Sequence, residues 1–456
     1  MIPDGVLNEN MSAEMRETER VYEREIELER FLFRTPGSLV MMLVRLETPV
    51  PIDELEKAVE KLNRIHPLLR SRVVIREDGT AYFTTEDAAA TRLKVLRKTS
   101  EDSFFSVIDE ENRIPFHMDT GPLARIVLLD HETHPDILLY FHHVICDGLS
   151  LVYLTRHLME LLADPEKEVV SIEPILYGDE LLKAYPPGFV TKTMVKRTNS
   201  NWSKRRVIFG EDDYQELVAK SKPAKFKLIG FSEEETLALR DRCRVEGVTI
   251  NSALLTTILV AKKETPEFVK RSDEIGFAVN VRERLPVEPG EACALYASGV
   301  TFKLKYRESQ SFWENARTVH KISREKMADN KALFGRRAMT LILDPTILDA
   351  LIFSVLGDFK DPMIDKFAQK FSKADVGTLL TNLGGTRIPK QYGSYIIDDV
   401  LFITGAPAGG VPAVLASGIM GKLNITLPYY EHLLSTETIN LFGEAITRTL
   451  RGYMTE

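Results

Sequence analysis

The chain has 456 residues, of which 44% are hydrophobic and 28% are charged, and 59 Lys and Arg against 67 Asp and Glu give a net charge of −8. This composition is typical of a globular protein and excludes collagen-like and wholly disordered chains. The acidic balance disfavours nucleic acid as the main partner, because phosphate binding needs a basic surface. The three widely spaced cysteines indicate neither a disulfide framework nor a zinc ribbon. Without an apolar run of ~18 residues or a signal-peptide pattern, we expect a cytoplasmic protein with no membrane span.

The first predicted elements are a charged helix, a strand and an amphipathic helix. Residues 11–33 mix Glu and Arg at helical spacing and predict a helix exposed to solvent. Residues 38–47 form a continuous apolar run between Pro and Gly residues, which predicts a buried strand. In residues 52–65 the apolar side chains recur at helical spacing and predict an amphipathic helix.

Two histidines end a later predicted strand. Further strands are predicted at residues 71–75, 80–84 and 123–129, with a helix at 103–111. The apolar run 137–144 predicts a buried strand that ends in His142 and His143. Asp147 and Gly148 follow in a short turn, and leucines at helical spacing then predict a helix. The sequence therefore predicts a strand, a turn and a helix with polar side chains at their junction.

A weaker pattern separates two predicted halves, residues 1–180 and residues 226–456, with a crossover linker at 181–225. The linker carries a basic run: Lys192, Lys196, Arg197, Lys204, Arg205 and Arg206. This run is either an ordinary solvated segment or a seat for a phosphate or an acidic protein. The second half is predicted to contain helices at 233–246, 249–263, 312–327 and 436–448, and strands at 275–281, 375–382, 400–404, 414–419 and 422–427.

The residues at the turn suit proton transfer. An imidazole has an ordinary pKa of ~6.5 and can accept a proton near neutral pH. Because neighbouring strand residues point to opposite faces, only one of His142 and His143 can face a given cavity. Asp147 could orient an imidazole or pair with a distant cation, and Gly148 allows a close approach that a side chain would block. Three alternatives remain open at this point: histidines satisfied in the core, a metal site, and an aspartate that serves only the turn.

The segment F-H-H-V-I-C-D-G-L-S at residues 141–150 resembles the H-H-x-x-x-D-G signature of the thioester-dependent acyltransferase superfamily. This superfamily includes chloramphenicol acetyltransferase, the condensation domains of nonribosomal peptide synthetases, and alcohol and polyketide-associated acyltransferases. Four more segments resemble it in the same order along nearly the whole chain: R-I-H-P-L-L-R at 64–70, P-F-H-M-D-T-G-P-L-A-R at 115–125, V-N-V-R at 279–282 and L-T-N-L-G at 380–384. The resemblance implies an α/β fold of two chloramphenicol acetyltransferase-like halves, each a mixed sheet with flanking helices, in a V around a central tunnel.

The resemblance also implies roles for single residues. His143 matches the general base, which takes the proton from the acceptor as it attacks a thioester carbonyl. Asp147 matches a structural carboxylate whose expected partner is Arg282, since a buried carboxylate needs a cation and a bidentate guanidinium would hold the turn. His142 and Gly148 complete the motif, with His142 facing away from the reaction as a packing residue.

Residues 381 and 382 are the predicted substrate-binding positions. The resemblance places Thr381 near the reacting centre, where a small hydroxyl could stabilise an oxyanion or line the tunnel, with Asn382 beside it.

The implied function is acyl transfer in secondary-metabolite or lipid biosynthesis. An acyl group would pass from a pantetheine thioester, on coenzyme A or on a carrier protein, to a small-molecule alcohol or amine. No metal and no permanently bound cofactor are expected, because acyl-CoA or the phosphopantetheinyl carrier protein is a co-substrate, and we expect a monomer. The alternative is a non-catalytic platform that docks carrier proteins and partner enzymes.

Overall fold

The computed structural model describes residues 20–373, 377–385 and 388–454, and it contains two mixed six-stranded sheets with flanking helices. Its strands are β1 Glu23–Glu25, β2 Leu39–Leu46, β3 Arg72–Ile75, β4 Ala81–Thr84, β5 Leu93–Arg97, β6 Ala124–Asp130, β7 Asp136–His142, β8 Lys225–Gly230, β9 Glu274–Asn280, β10 Ala297–Lys303, β11 Thr378–Asn382, β12 Gln391–Tyr392, β13 Tyr395–Thr404, β14 Ala413–Ser417 and β15 Asn424–Tyr429. The predicted mixed α/β class is confirmed.

The helices cover the faces of these sheets. They are α1 Arg30–Phe33, α2 Ile52–Ile65, α3 Ser103–Glu111, α4 Gly148–Ala163, α5 Gly178–Ala184, α6 Phe189–Trp202, α7 Glu211–Lys220, α8 Glu233–Val245, α9 Ile250–Glu264, α10 Pro266–Val269, α11 Phe312–Ala328, α12 Asn330–Leu341, α13 Pro345–Leu356, α14 Pro362–Lys373 and α15 Thr436–Met454, with 3₁₀ turns at Pro67–Arg70, Arg282–Arg284, Ala408–Gly410 and Ile419–Gly421. The predicted start of α8 is confirmed, because Ser232 and Glu235 form a reciprocal capping box there.

The first sheet has the strand order β12-β13-β2-β7-β6-β5. Strands β2 and β7 lie at its centre, and every side chain of β7 is buried, as its apolar sequence predicts. They run antiparallel with Leu39 opposite His142, so the start of β2 lies beside the end of β7 that carries the histidines. Helix α4 packs against α2 and β2, which fixes the helix that follows the motif against the same sheet.

The second sheet has the strand order β10-β9-β11-β14-β15-β8. Strand β11 lies at its centre, parallel to both β9 and β14. Because β11 is central, the loop that follows Asn382 leaves from the middle of the sheet. A separate three-stranded sheet is formed by β1, β4 and β3.

Strand β13 belongs to the first sheet although it lies late in the chain. It runs antiparallel to β2, with Phe402 opposite Met42 and Thr404 opposite Val40. The predicted boundary between halves at residues 181–225 therefore does not separate the two sheets cleanly, because two strands of the 226–456 half, β12 and β13, belong to the sheet of the 1–180 half. The domain boundaries themselves stay a prediction.

The region predicted as a crossover linker contains three helices, α5 to α7. Trp202 at the end of α6 is fully buried and donates its indole N–H to the Thr346 hydroxyl at 2.7 Å. Two members of the basic run make ion pairs, Arg205 with Asp361 at 3.4 Å and Arg206 with Asp344 at 2.6 Å. These two arginines of the basic run therefore make contacts within the protein.

The prediction of a solvated helix at residues 11–33 is wrong for the part that the structure describes; residues 11–19 lie outside it. Strand β1 and the single turn α1 occupy this stretch, and Arg24, Glu29 and Arg30 are all at most 5% exposed. Arg24 pairs with Glu29 at 2.8 Å, while Nε and Nη2 of Arg30 donate to the two oxygens of the buried Asp349 carboxylate at 2.9 and 2.5 Å. These three side chains thus make internal ion pairs, whereas Arg20 and Glu23 of the same stretch are exposed.

In the described ranges, no single helix has the length and apolar composition needed to cross a membrane. Two pairs of consecutive helices meet that test only when they are joined across bends of 100° and 96°, α8 with α9 and α12 with α13.

The Arg30–Asp349 pair yields a stability prediction. Asp349→Asn keeps the side-chain size but leaves the buried guanidinium without a counter-charge, so we expect the free energy of unfolding to fall by about 3 kcal/mol. Urea unfolding measures this change. The control is Asp53→Asn in the exposed Asp53–Lys57 pair, for which less than ~0.5 kcal/mol is expected. Equal changes in the two variants would contradict the prediction.

Candidate active site

The junction between β7 and α4 builds the candidate site. Strand β7 ends at His142, four residues form the turn, and Asp147 caps α4 by accepting the Ser150 backbone N–H at 2.8 Å through Oδ1. An aspartate is favoured at this position because its side chain satisfies a free N–H of the first helical turn. The sequence therefore folds locally into the strand, turn and helix that its pattern predicts.

His142 is a packing residue in this arrangement. Its side chain is 1% exposed, it meets the ring of Phe116 edge-on at 5.8 Å between centroids, and its Nδ1 accepts the Val144 N–H at 3.2 Å. The Tyr214 hydroxyl lies 3.5 Å from its Nε2. Burial lowers the pKa of His142 to about 3, so the ring stays neutral across the physiological range.

His143 has the geometry of a base. The residue is partly buried, and its Nδ1 lies 2.7 Å from the Cys146 carbonyl oxygen. A carbonyl oxygen only accepts hydrogen bonds, so Nδ1 carries the proton and Nε2 is left with a free lone pair. Burial lowers the pKa of His143, while the hydrogen bond to Cys146 and the charge of Asp147 oppose that shift. The ring is therefore neutral near pH 7, and the tautomer is the one a base needs.

Asp147 joins groups from distant parts of the chain. Its side chain is 2% exposed, and its Oδ2 accepts the Tyr296 backbone N–H at 2.8 Å. Arg282 is also buried and forms an ion pair with it, at 3.6 Å between Nη2 and Oδ1. The bidentate hydrogen bond that we expected is not observed, because Nη2 donates to the Ser150 hydroxyl at 2.7 Å instead.

The other branch of Arg282 binds backbone oxygens. Its Nη1 donates to the carbonyls of Gly290 at 3.1 Å and Ala292 at 3.0 Å, and its guanidinium lies over the Tyr296 ring at 4.4 Å. Arg282 therefore fixes the loop that supplies the Tyr296 N–H as well as the charge beside Asp147.

Gly148 lies where the two sheets meet. A Cβ atom at this position would be 2.6 Å from Leu383 Cδ2 and 3.1 Å from Phe402 Cζ. Leu383 follows β11 of the second sheet, and Phe402 is in β13. The glycine thus permits a close approach between the start of α4 and the loop after β11.

The predicted substrate residues lie at the end of β11. Asn382 lines two adjacent clefts of about 820 and 590 Å³, and its Oδ1 accepts the Gly384 N–H at 2.8 Å. Thr381 pairs with Leu415 and is partly exposed. Since side chains alternate along a strand, Thr381 and Asn382 point to opposite faces of the sheet. Their substrate-binding roles stay predictions.

Sequence reasoning missed Ser150 and Tyr296. The Ser150 hydroxyl is fully buried, donates to the Ala294 carbonyl at 2.8 Å and accepts from Arg282, so it links Arg282 to α4. Ser150 follows the predicted turn residue Asp147 by three positions, and this spacing could have indicated that it lies in the first helical turn beside the carboxylate. Tyr296 contributes a backbone N–H, for which the sequence offers no signal.

The structure brings three further side chains of metal-ligand type together on the surface, namely His117, Asp119 and Glu211. The Glu211 carboxylate already accepts hydrogen bonds from Gln215 at 2.6 Å and from the Met118 N–H at 3.1 Å. It also lies 3.5 Å from the buried Arg34 guanidinium. Its charge is therefore compensated within the protein, and the cluster carries no metal assignment.

Comparison with known proteins identifies the family. The model of the condensation domain family matches residues 26–336, and the chain belongs to this family. The predicted class, an enzyme of acyl transfer, is confirmed at this level.

Sequence relatives are multidomain synthetases. The chain is 29% identical over 148 residues to nonribosomal peptide synthetase kk1B of Curvularia clavata, a match that covers 31% of this chain and 1% of that protein. It is 26% identical over 170 residues to surfactin synthase subunit 1 of Bacillus subtilis, covering 36% of this chain and 4% of the synthase. The matches thus span only a small part of these relatives.

Solved structures share the fold at low identity. Trichothecene 15-O-acetyltransferase TRI3 of Fusarium sporotrichioides superimposes with a TM-score of 0.66 at 12% identity, covering 96% of both chains. Polyketide synthase associated protein 5 of Mycobacterium tuberculosis gives 0.62 at 15% identity, covering 95% of this chain and 98% of its own. The epimerization domain of tyrocidine synthetase B gives 0.64 at 15%, with 95% and 97% covered.

Buried histidines yield a prediction for stability against pH. Burial lowers the pKa of both His66 and His142 to about 3, whereas an unfolded histidine has a pKa of ~6.5. Below pH ~6.5 the unfolded chain binds protons that the folded chain does not, so stability is lost as the pH falls. Between pH 7.5 and 5.5 each of these histidines should lower the free energy of unfolding by about 1.4 kcal/mol.

Urea unfolding of the wild type and of His142→Asn at the two pH values measures this loss. The asparagine can still accept the Val144 N–H but does not titrate, so the loss should be smaller by one histidine's contribution. An identical loss in both proteins would show that His142 is not kept neutral by burial.

Proposed function

We propose that the protein transfers an acyl group from a pantetheine thioester to a hydroxyl or amine, with His143 as the general base. The observation that carries this proposal is the His143 tautomer: Nδ1 donates to the Cys146 carbonyl, and Nε2 has a free lone pair. A base also needs to be unprotonated at working pH, which the lowered pKa of His143 provides.

The reaction needs no covalent intermediate on the protein. The acceptor oxygen or nitrogen attacks the thioester carbonyl while Nε2 of His143 takes its proton, and a carbon–oxygen or carbon–nitrogen bond forms. The carbon–sulfur bond then breaks, and the pantetheine thiolate leaves as a free thiol after taking the proton from the imidazolium. Asp147 and Arg282 act by holding the turn and do not touch the reacting atoms.

The two clefts beside β11 are the proposed seat of the donor arm. Both are lined by Asn382 and Gly384, and the intervening Leu383 is the residue that approaches Gly148. The lining residues of both clefts belong to the 226–456 half, and Leu383 is the proposed link between them and the start of α4. Polar side chains and cations at their walls, among them Asn251, Arg240 and Arg324, suit the amides and the phosphate of a pantetheine arm.

The source of the donor is proposed to be acyl-CoA or a phosphopantetheinyl carrier protein, and the acceptor a small alcohol or amine of secondary metabolism or lipid biosynthesis. Family membership supports a carrier-bound donor, because the matched relatives are peptide synthetases. Structural likeness to a stand-alone acetyltransferase is compatible with a free coenzyme. A cytoplasmic location and a monomeric state belong to the same proposal.

His143→Ala tests the proposal. We expect free-thiol release with an acyl-CoA or acyl-carrier donor and an added acceptor to fall by roughly 10²–10⁴-fold, since the proton acceptor is removed. Thermal unfolding checks that the variant is folded. His134→Ala, on an exposed loop, is the matched control and should keep wild-type turnover.

Unchanged turnover in His143→Ala would overturn the base assignment. If the wild type releases no thiol with any donor yet binds a carrier protein tightly, the non-catalytic docking platform replaces the proposed enzyme.

A further inference from the structure

Residues 290–296, here named the clasp segment, connect the second sheet to the candidate site. The segment precedes β10, and its last residues contact the motif. The Tyr296 N–H binds Asp147, the Ala294 carbonyl accepts the Ser150 hydroxyl, and Cys293 Sγ lies 3.2 Å from the Ile145 carbonyl oxygen. The position of the clasp segment therefore decides whether Asp147 keeps its second N–H donor.

Glu291 binds the other end of the clasp segment to α4. One carboxylate oxygen accepts from Arg156 Nη1 at 2.8 Å, and the other lies 2.8 Å from His157 Nε2. Arg156 and His157 lie on the helix that Asp147 caps, so a single helix holds both ends of the clasp segment. Charged hydrogen bonds of this kind are the stronger ones in proteins.

His157 is in turn held by His66. His66 Nε2 and His157 Nδ1 are 2.9 Å apart, and the two rings stack at 5.2 Å between centroids. Burial keeps His66 neutral, with its pKa lowered to about 3. A carboxylate oxygen only accepts hydrogen bonds, so His157 donates to Glu291 through Nε2, and the hydrogen-bonded chain runs from His66 through His157 to Glu291.

Arg282 holds the same stretch through its backbone. It donates to the carbonyls of Gly290 and Ala292, the two residues that flank Glu291. Gly290 has φ +55°, a left-handed conformation that favours glycine and lets the chain turn there. The side chain of Glu291 thus points to α4 while the backbone around it faces Arg282.

We propose that Glu291 is a positioning residue: through Arg156 and His157 it holds the clasp segment on α4 and so keeps Asp147 and the His143 turn in their working geometry. The catalytic consequence rests on the proposed acyl transfer, whereas the closure of the clasp segment does not. Without the Glu291 carboxylate the segment would keep its contacts with Arg282 and those of Cys293, Ala294 and Tyr296 with the motif, and it would open more often.

Two buried cysteines report on that opening. Cys146 and Cys293 lie where the clasp segment meets the turn, and both are at most 1% exposed. Cys243 is buried in α8 and serves as an internal reference. Thiol labelling followed by mass spectrometry gives the labelling rate of each cysteine in the folded protein.

Glu291→Gln should raise the labelling rates of Cys146 and Cys293 by roughly tenfold, because a charged partner of two donors is lost. The rate for Cys243 should not change. Glu288→Gln is the matched control in the preceding, exposed part of the loop, where Glu288 makes no ion pair with any described residue, and it should leave all three rates unchanged. Unchanged rates in Glu291→Gln, or an equal rise for Cys243, would overturn the proposal.

Turnover provides the second measurement. In Glu291→Gln we expect kcat for thiol release to fall about tenfold, with the KM for the donor within twofold of wild type, since the base and not the donor cleft is displaced. Wild-type kcat in this variant would overturn the positioning role.

If the wild type shows no turnover at all, the proposed function fails, while the labelling rates still decide whether Glu291 closes the segment. Should Glu291→Gln not fold, the double variant Arg156→Gln/His157→Gln removes both donors to the Glu291 carboxylate and is measured in its place under the same criteria.

Discussion

The buried carboxylate of Asp147 is the group on which the candidate site depends. Removing a carboxylate from water costs several kcal/mol unless hydrogen bonds and a cation compensate it. Here the compensation comes from the N–H of Ser150 at the start of α4, the N–H of Tyr296 before β10, and the charge of Arg282. These donors lie on both sides of the junction between the sheets, so the carboxylate is satisfied only when the two parts of the chain are assembled.

Elements that depend on local sequence patterns could be predicted, whereas contacts between residues far apart in the sequence could not. Helix α2 was predicted with its observed bounds, and β2 to within a residue at each end, because apolar periodicity and local boundaries determine them. The stretch around Arg30 was predicted wrongly, since its partner Asp349 lies 319 positions along the chain. A charged segment facing water and one with internal ion pairs look the same in a single sequence, and only tertiary contacts separate them.

The same limit applies to the site. His143, Asp147 and Arg282 were singled out from motifs, and the structure brings Arg282 to Asp147 although the two are 135 positions apart in the sequence. The bidentate hydrogen bond predicted between Arg282 and the Asp147 carboxylate is not observed, because Nη2 of Arg282 donates to the Ser150 hydroxyl instead. The Tyr296 N–H could not be predicted, since every residue except proline has a backbone donor and only the fold selects one. The contacts of Glu291 could not be predicted either, because its loop has no periodic sequence pattern.

The position of β13 has a consequence for how the protein is made. Strand β2 needs β13 as its neighbour, and Val40 pairs with Thr404. While the ribosome extends the chain, β2 therefore has one open, apolar edge until β13 has been synthesised. Open edges of this kind invite pairing with other chains. The nascent chain thus exposes a site for aggregation from the synthesis of β2 to that of β13.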